Sequence, residues 1–119
     1  WGLAFKPGTD DMREAASIYV IKELVKRGAK IKAYDPKAID EAKEHYLKGM
    51  KNIEYLNSKY DVLNNSDALV LLTEWKEFRS PDFDNMKSLL KSPVIFDGRN
   101  QYIAYDLENK GLEYYRIGK

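Results

Sequence analysis

The sequence predicts a single α/β domain built on a doubly wound, mainly parallel sheet with helices on both faces. Two observations predict this fold. Segments with strand-like and helix-like apolar spacing alternate along the 119 residues, and the connections between them are short, as in folds built from strand-helix-strand units. In addition, residues 68–72 are apolar without interruption, which is typical of a parallel strand that helices cover on both faces.

The chain opens with a strand, a turn and a helix. Residues 1–5 are apolar and predict a buried strand. The segment Lys6-Pro7-Gly8 ends it, because proline cannot donate a ladder hydrogen bond and glycine permits unusual backbone angles. From Met12 onward apolar residues recur at helical spacing, and we expect Asp11 and Glu14 to form a capping box at the start of this helix.

A second strand and a second helix follow. Gly28 ends the first helix, and residues 30–34 alternate between apolar and polar side chains, as a strand with one wetter face does. We expect Asp35 to cap the next helix and Pro36 to occupy its first position. That helix is predicted to end near Gly49, since glycine is common just beyond a helix.

The remaining elements continue the alternation. The apolar patterns predict a short strand at 53–55, a short helix at 58–64, the central strand at 68–73, a helix around 86–90, a strand at 94–96, a short helix at 107–110 and a last strand at 113–117. Right-handed crossovers between parallel strands then place helices on both faces of a Rossmann-like sheet.

Three polar segments follow predicted strands and are expected to share one edge of the sheet. Ligands of doubly wound sheets bind beyond the carboxyl ends of the strands, where this chain has residues 6–11, 73–75 and 97–100. Within them, Lys6 and Arg99 are the cations best placed to face an anionic ligand. Arg99 can make a planar two-pronged contact with phosphate, and Lys6 a point-charge contact. The alternative is that both are solvated surface charges.

Composition excludes several kinds of site and partner. A net charge of +1 leaves no overall bias toward nucleic acid or an anionic membrane, so any anion site is local. The chain has no cysteine and one histidine, which excludes disulfides, thiolate or multi-histidine metal sites and a cysteine nucleophile; we expect a cytoplasmic protein without a metal. No apolar run approaches the roughly 20 residues that cross a bilayer.

Several acidic residues admit two interpretations. Asp10 and Asp11 suit either magnesium binding, as in phosphoacceptor receiver domains, or helix capping. The central strand runs into Thr73 and Glu74 rather than the acceptor aspartate of a receiver, which favours capping. Asp35 imitates the acid that binds a ribose in a dinucleotide-binding unit, but the first turn has no Gly-x-Gly-x-x-Gly loop, so capping is favoured here too.

The aromatic residues and the histidine are interpreted as structural. Trp75, Phe78 and Phe83 are predicted to pack in the core rather than to stack on a base. His45 is predicted to be an exposed helical residue rather than a general base. None of these four residues is therefore predicted to act as a general base or to stack on a base.

Residues 2–14 resemble the Gly-Leu-Ala-Phe-Lys-Pro-x-Thr-Asp-Asp-x-Arg-Glu segment that begins the C-terminal domain in the UDP-glucose/GDP-mannose dehydrogenase family. Further motifs resemble that family in the same order, at residues 33–36, 66–75 with Phe78, 96–100 and 115–118. The resemblance therefore covers nearly the whole chain.

This resemblance implies that residues 1–119 are the C-terminal UDP-binding domain of an enzyme that oxidises the C6 alcohol of UDP-glucose to a carboxylate, with NAD and a cysteine-bound intermediate. By resemblance, Phe5, Lys6 and Arg99 contact the substrate nucleotide, and Arg13 reaches NAD held mainly by the N-terminal domain. The N-terminal and central domains are then partners within a parent that we expect to form a homodimer or a higher homo-oligomer. No catalytic residue is assigned to this chain, which we expect to be inactive alone.

Two alternative functions stay open. Related enzymes oxidise UDP-N-acetylmannosamine, UDP-N-acetylglucosamine or GDP-mannose with a similar domain, and a non-catalytic nucleotide-binding or receiver-like module is the other class. Because Trp1 lies inside an apolar run and is not methionine, we expect the chain to come from a longer one. A dinucleotide loop and a catalytic cysteine upstream of Trp1 would favour the dehydrogenase.

Overall fold

The computed structural model describes residues 1–118; Lys119, the last residue of the predicted domain 1–119, lies outside the described residues. The strands are β1 (Ile31–Ala33), β2 (Ile53–Tyr55), β3 (Leu69–Leu71), β4 (Val94–Asp97) and β5 (Glu113–Arg116). The helices are α1 (Ala16–Lys26), α2 (Ile39–Glu41), which a π-helical turn continues over Ala42–Tyr46, and α3 (Phe83–Leu89), with 3₁₀ turns at Asp61–Leu63, Lys76–Phe78, Ile103–Tyr105 and Leu107–Lys110. Over residues 1–118, no helix is long and apolar enough to cross a membrane.

Every strand pairing within residues 1–118 is parallel. β1 pairs with β2, with Ile31 opposite Ile53. β4 lies between β3 and β5, and Leu69 stands opposite Ile95 in the first of these pairings. The predicted α/β fold with mainly parallel strands is confirmed.

Trp1 and Gly2 join the two sets of strands. The amino nitrogen of Trp1 donates to the Val70 carbonyl at 2.8 Å, and the Leu72 N–H donates to the Trp1 carbonyl at 2.9 Å, which is the pattern of a parallel ladder. On the other side, the Gly2 N–H donates to the Tyr34 carbonyl at 2.9 Å. The spatial order is therefore β2, β1, residues 1–2, β3, β4 and β5. Residues 1–2 lie in the middle, β1 and β2 follow outward on one side, and β3, β4 and β5 follow outward on the other.

The predicted first strand is too long, because Leu3 and Ala4 leave the ladder. Their N–H groups donate to the Asp35 carboxylate at 2.8 and 3.0 Å instead of to a neighbouring strand. Gly2 has a left-handed φ of 99°, and a Cβ there would lie 2.5 Å from the Thr73 nitrogen. Glycine thus allows the close approach to the end of β3 at which the strand-like pairing stops.

The helices cover opposite faces of the sheet. Right-handed crossovers that run outward in opposite directions from the centre place α1 and α3 on different faces. Ile21 of α1 belongs to one apolar cluster, together with Ala33 of β1. Met86 of α3 belongs to the other cluster, together with Leu71 and Ile95 of the central strands. The core therefore lies on both sides of the sheet.

α1 begins later than predicted from the apolar spacing at Met12. Ala15 precedes the helix without a side-chain cap. The predicted capping box of Asp11 and Glu14 is wrong, because the Asp11 carboxylate accepts the Arg13 N–H at 2.9 Å and Glu14 has a left-handed φ of 60°. A right-handed helix cannot continue through that conformation, so it starts beyond Glu14.

Asp35 binds the turn before α2 instead of capping the helix itself. Its Oδ1 accepts the N–H groups of Lys37 and Ala38 at 2.8 and 2.9 Å. Ala38, not Asp35, directly precedes α2. The predicted helical start at Pro36 is therefore wrong, because α2 begins three residues later. The Asp35 carboxylate stabilises the turn that lies between them.

Candidate functional site

The polar segments predicted to share one edge do lie beyond the ends of neighbouring parallel strands. Residues 5–11 follow residues 1–4, which begin beside β1 and β3 and which we call the central segment. Residues 73–75 follow β3, and residues 97–100 include the end of β4. Carboxyl ends of parallel strands meet at one edge of a sheet. We refer to residues 5–11, 73–75 and 97–100 together as the polar edge.

Phe5 and Lys6 present an aromatic ring and a cation at this edge. Phe5 is 49% exposed, and Lys6 is exposed as well. The Phe5 N–H donates to the Asp11 carbonyl at 2.8 Å, which closes the turn over residues 5–11. Both side chains therefore leave a closed turn and remain accessible to a ligand.

Arg13 is held beside this turn by Asp11. Its Nη2 lies 2.8 Å from Asp11 Oδ2, and its Nε lies 3.1 Å from each carboxylate oxygen. Hydrogen bonds from Arg13 lower the pKa of Asp11 to about 2, and the charge of Lys6 adds a smaller lowering. The Arg13 side chain is 80% exposed, so it stands at the margin of the polar edge.

Arg99 is oriented by an ion pair with Glu74. Its Nε and Nη2 donate to Glu74 Oε2 at 3.1 and 2.8 Å. Burial is the largest single effect and acts to raise the pKa of Glu74, but the hydrogen bonds from Arg99, a backbone hydrogen bond and the charges of Arg99 and Arg79 together lower that pKa overall. Within residues 1–118, Glu74 Oε1 is buried without a hydrogen-bond partner. Since two of the five guanidinium N–H groups are used, the others stay available.

A buried carboxylate holds the turn that carries Arg99. Asp97 is 1% exposed, and it accepts the Arg99 N–H at 3.1 Å, the Tyr102 N–H at 2.9 Å and the Tyr114 hydroxyl at 2.7 Å. Burial, followed by this hydrogen bond to Asp97, raises the pKa of Tyr114 above its ordinary range. The backbone at Arg99 is thereby tied to β5.

Thr73 connects the two sides of the polar edge. It is 0% exposed, and its Oγ1 donates to the Ala4 carbonyl at 2.6 Å. Ala4 precedes Phe5, and Thr73 precedes the Glu74 that holds Arg99, so a short run of contacts links the two predicted binding segments. The position of Thr73 and Glu74 directly after a parallel strand predicted their place at this edge, but not the contacts that they make with Ala4 and Arg99.

The packing predicted for three aromatic residues and the exposure predicted for His45 are confirmed. Phe78 and Phe83 are buried, at 1% and 9% exposure, and Trp75 packs against the core while its Nε1 donates to Asp35 at 3.0 Å. His45 is exposed in the π-helical turn. Asp35 itself is 2% exposed, which excludes direct contact with a ribose.

Neither a metal nor the dinucleotide part of NAD fits the described residues. Within residues 1–118, no group of three or more metal-ligating side chains is clustered. Asp11 is paired with Arg13, which leaves Asp10 without a second acid. The turn at residues 5–8 has no glycine-rich loop to hold a pyrophosphate. A dinucleotide would have to bind mainly outside this chain.

Two surface depressions differ in chemistry and place. A shallow one of about 410 Å³ borders the polar edge and is lined by Gly8, Thr9, Asp10 and Lys37. A groove of about 1020 Å³ lies toward the amino ends of β1 and β3, where its lining includes Trp1, Val20, Leu24, residues 29–33 and residues 65–70.

The sequence matches a family model described as the UDP-binding domain of the UDP-glucose/GDP-mannose dehydrogenase family, over residues 1–104. It is 40% identical to a UDP-glucose 6-dehydrogenase of Pseudomonas aeruginosa, and the match covers 100% of this chain and 27% of that protein. A UDP-glucose 6-dehydrogenase of Rhizobium meliloti is 39% identical over 99% of this chain and 26% of its own length. The chain thus spans about a quarter of these relatives.

Solved structures give the same pattern of similarity. An NDP-N-acetyl-D-galactosaminuronic acid dehydrogenase from Methanosarcina mazei has a TM-score of 0.79 and 28% identity, over 99% of this chain and 23% of that one. A UDP-glucose dehydrogenase from Pyrobaculum islandicum has a TM-score of 0.74 and 28% identity, over 96% of this chain and 23% of that one.

Proposed function

The chain belongs to the UDP-glucose/GDP-mannose dehydrogenase family, and we propose that it is the C-terminal UDP-binding domain of an NAD-dependent enzyme that oxidises UDP-glucose to UDP-glucuronate. The observation that carries the proposal is the polar edge, where Lys6 and an exposed Phe5 ring follow residues 1–4 and Arg99 follows β4, on the two sides of the end of β3. The choice of UDP-glucose is supported by the relatives that match the whole chain.

The polar edge suits a nucleoside diphosphate. The Lys6 ammonium supplies a point charge, and the free N–H groups of Arg99 supply a planar donor edge for phosphate oxygens. Phe5 offers an apolar face of the kind on which a base stacks. Glu74 and Asp11 neutralise part of the positive charge, so these groups favour a directed contact over general attraction of anions.

The chemistry itself requires parts of the parent outside this chain. The sequence has no cysteine, and residues 1–118, which the structure describes, include no glycine-rich loop after the first strand to hold the NAD pyrophosphate. NAD accepts hydride when bound, and we propose that the N-terminal domain holds most of it while the exposed Arg13 contacts it from the margin of the polar edge. The N-terminal and central domains are then the partners of this domain within a cytoplasmic homodimer or higher homo-oligomer, and the chain alone is inactive.

A different nucleotide sugar is the second candidate substrate. Besides the M. mazei enzyme, a UDP-D-ManNAc dehydrogenase from Pyrococcus horikoshii has a TM-score of 0.73 and 26% identity, over 98% of this chain and 24% of that one. The P. horikoshii enzyme is named for UDP carrying a sugar other than glucose, and the M. mazei enzyme is named for an NDP-linked sugar without a specified base. Phe5, Lys6 and Arg99 suit the shared nucleotide, so sugar choice would depend on residues elsewhere in the parent.

Titration of UDP into the isotope-labelled chain tests the proposal. Charge-assisted hydrogen bonds contribute about 1.5–3 kcal/mol each, while association costs at least about 4 kcal/mol. Two such contacts leave little surplus, so we expect a dissociation constant of about 1 mM or weaker, equivalent to about 4 kcal/mol. Amide signals of residues 5–11 and 97–100 should shift.

Arg99→Ala should abolish these shifts. Arg27→Ala is the matched control, because Arg27 pairs with Glu23 on α1 at 2.7 Å, away from the polar edge. Shifts confined to other residues, or their persistence in Arg99→Ala, would contradict the proposed site.

A further inference from the structure

Asp35 is a buried carboxylate surrounded by N–H donors. It is 2% exposed, and no ion pair among residues 1–118 includes it. Its Oδ2 accepts from Leu3 N at 2.8 Å, Ala4 N at 3.0 Å and Trp75 Nε1 at 3.0 Å, and its Oδ1 accepts from Lys37 N at 2.8 Å and Ala38 N at 2.9 Å. One side chain therefore joins the central segment, the turn before α2 and the segment after β3.

Leu3 and Ala4 are held by side chains on every polar backbone group. Their N–H groups bind Asp35, the Leu3 carbonyl accepts the Ser17 hydroxyl at 2.6 Å, and the Ala4 carbonyl accepts the Thr73 hydroxyl at 2.6 Å. These bonds replace the ladder that the chain leaves after Gly2. The backbone that leads into Phe5 and Lys6 is therefore fixed before any ligand arrives.

The chemistry of the five contacts requires a carboxylate. An ionised aspartate is an acceptor at both oxygens, whereas an asparagine of the same shape presents one oxygen and one NH₂ group. In Asp35→Asn, the NH₂ group would face N–H donors either at Leu3 and Ala4 or at Lys37 and Ala38. One of these two pairs of N–H groups would then lose its acceptor.

We propose that Asp35 is a positioning residue for nucleotide binding, which fixes the backbone that presents Phe5 and Lys6 without touching the ligand itself. The inference rests on the proposed function. A loop that is already ordered pays less conformational entropy on binding than one that must be ordered by the ligand. Asp35 thus contributes to affinity through the free state of the protein.

The test compares Asp35→Asn with Met86→Ala in the labelled chain. Met86 is 0% exposed on α3, so its truncation lowers stability away from the polar edge. We expect Asp35→Asn to weaken UDP binding by about tenfold or more, read from the initial slope of the amide shifts. Hydrogen exchange should become faster at the pair of N–H groups that the new NH₂ group faces, either Leu3 and Ala4 or Lys37 and Ala38. Met86→Ala should lower the melting temperature and leave the UDP dissociation constant unchanged.

If Asp35 has a merely structural role, Asp35→Asn will lower the melting temperature and leave the UDP dissociation constant unchanged, as Met86→Ala does. That result overturns the inference and leaves the proposed function intact. If wild type itself shows no UDP shifts at the polar edge, both the proposed function and the inference fail. Should Asp35→Asn not fold, Thr73→Val loosens the same backbone from the Ala4 carbonyl. Weaker UDP binding by Thr73→Val supports the inference, and unchanged binding overturns it.

Discussion

Replacing Thr73 with valine tests the contact that joins the two sides of the polar edge. Thr73 and Ala4 are 0% and 2% exposed, and valine removes the 2.6 Å hydrogen bond to the Ala4 carbonyl while nearly keeping the side-chain volume. Leaving a buried acceptor without a partner costs about 1–3 kcal/mol. For a chain of 119 residues, the unfolding entropy is about 0.25 kcal/mol/K, so the melting temperature should fall by about 4–12 °C.

The assay is thermal and urea unfolding followed by circular dichroism, with Thr73→Ser as the matched variant. Serine keeps the hydroxyl and removes one methyl group, which costs about 1 kcal/mol. We expect Thr73→Val to reduce the free energy of unfolding even though it loses no apolar volume. If Thr73→Val melts within about 1 °C of wild type while Thr73→Ser is destabilised, Thr73 acts by packing and the hydrogen bond to Ala4 contributes nothing.

Three further predictions concern charge, the first strand and catalysis. Arg13→Ala should return the Asp11 pKa from about 2 toward 3.8, measured by carboxyl ¹³C titration, and an unchanged pKa would refute the pairing. Because the pKa of Asp11 is lower in the folded state, the ion pair stabilises the fold above about pH 4, and this stabilisation is lost as the pH falls toward 2. Burial lowers the pKa of the Trp1 amino group from 8.0 to about 5, so the unfolding free energy should fall as the pH drops through that window. Converting this amino group to an amide by adding residues before Trp1 should remove this pH dependence and raise the melting temperature. Equal melting temperatures of both forms would show that pairing at Trp1 gains nothing from the extension. The chain alone should produce no NADH from UDP-glucose and NAD, and turnover that survives stringent purification would show that the chemistry is misassigned.

The strands were predictable because short apolar runs leave a local pattern, even in β4, where Phe96 is 44% exposed. The unbroken apolar run at residues 68–72 contains β3 (Leu69–Leu71), and the short run at 94–96 lies within β4 (Val94–Asp97). A strand of this kind can be recognised from the length of the apolar run and the polar residues that flank it, without knowledge of distant contacts. The helix start was not predictable, because Ala15 and Met12 are buried at helical spacing although Glu14 turns left-handed between them.

The supporting side chains of the candidate site could not be predicted for a different reason. Asp35 meets Trp75 forty positions later, and Glu74 meets Arg99 after twenty-five. Pairings of that range depend on which strands become neighbours, and a single sequence carries no signal for them beyond the order of the elements. Local capping was therefore the natural interpretation of Asp35, and it captured only the bonds to Lys37 and Ala38.

The most direct test of the central claim is a comparison of UDP with uridine in amide-shift titrations of the wild-type chain. If the polar edge binds a nucleoside diphosphate through Lys6 and Arg99, UDP shifts residues 5–11 and 97–100, whereas uridine at the same concentration shifts them far less. Lys6→Ala should reduce the difference between the amide shifts that UDP causes and those that uridine causes. Equal responses to uridine and UDP, or shifts confined to the apolar groove around Trp1 and Val20, would contradict the claim that these cations form a diphosphate site.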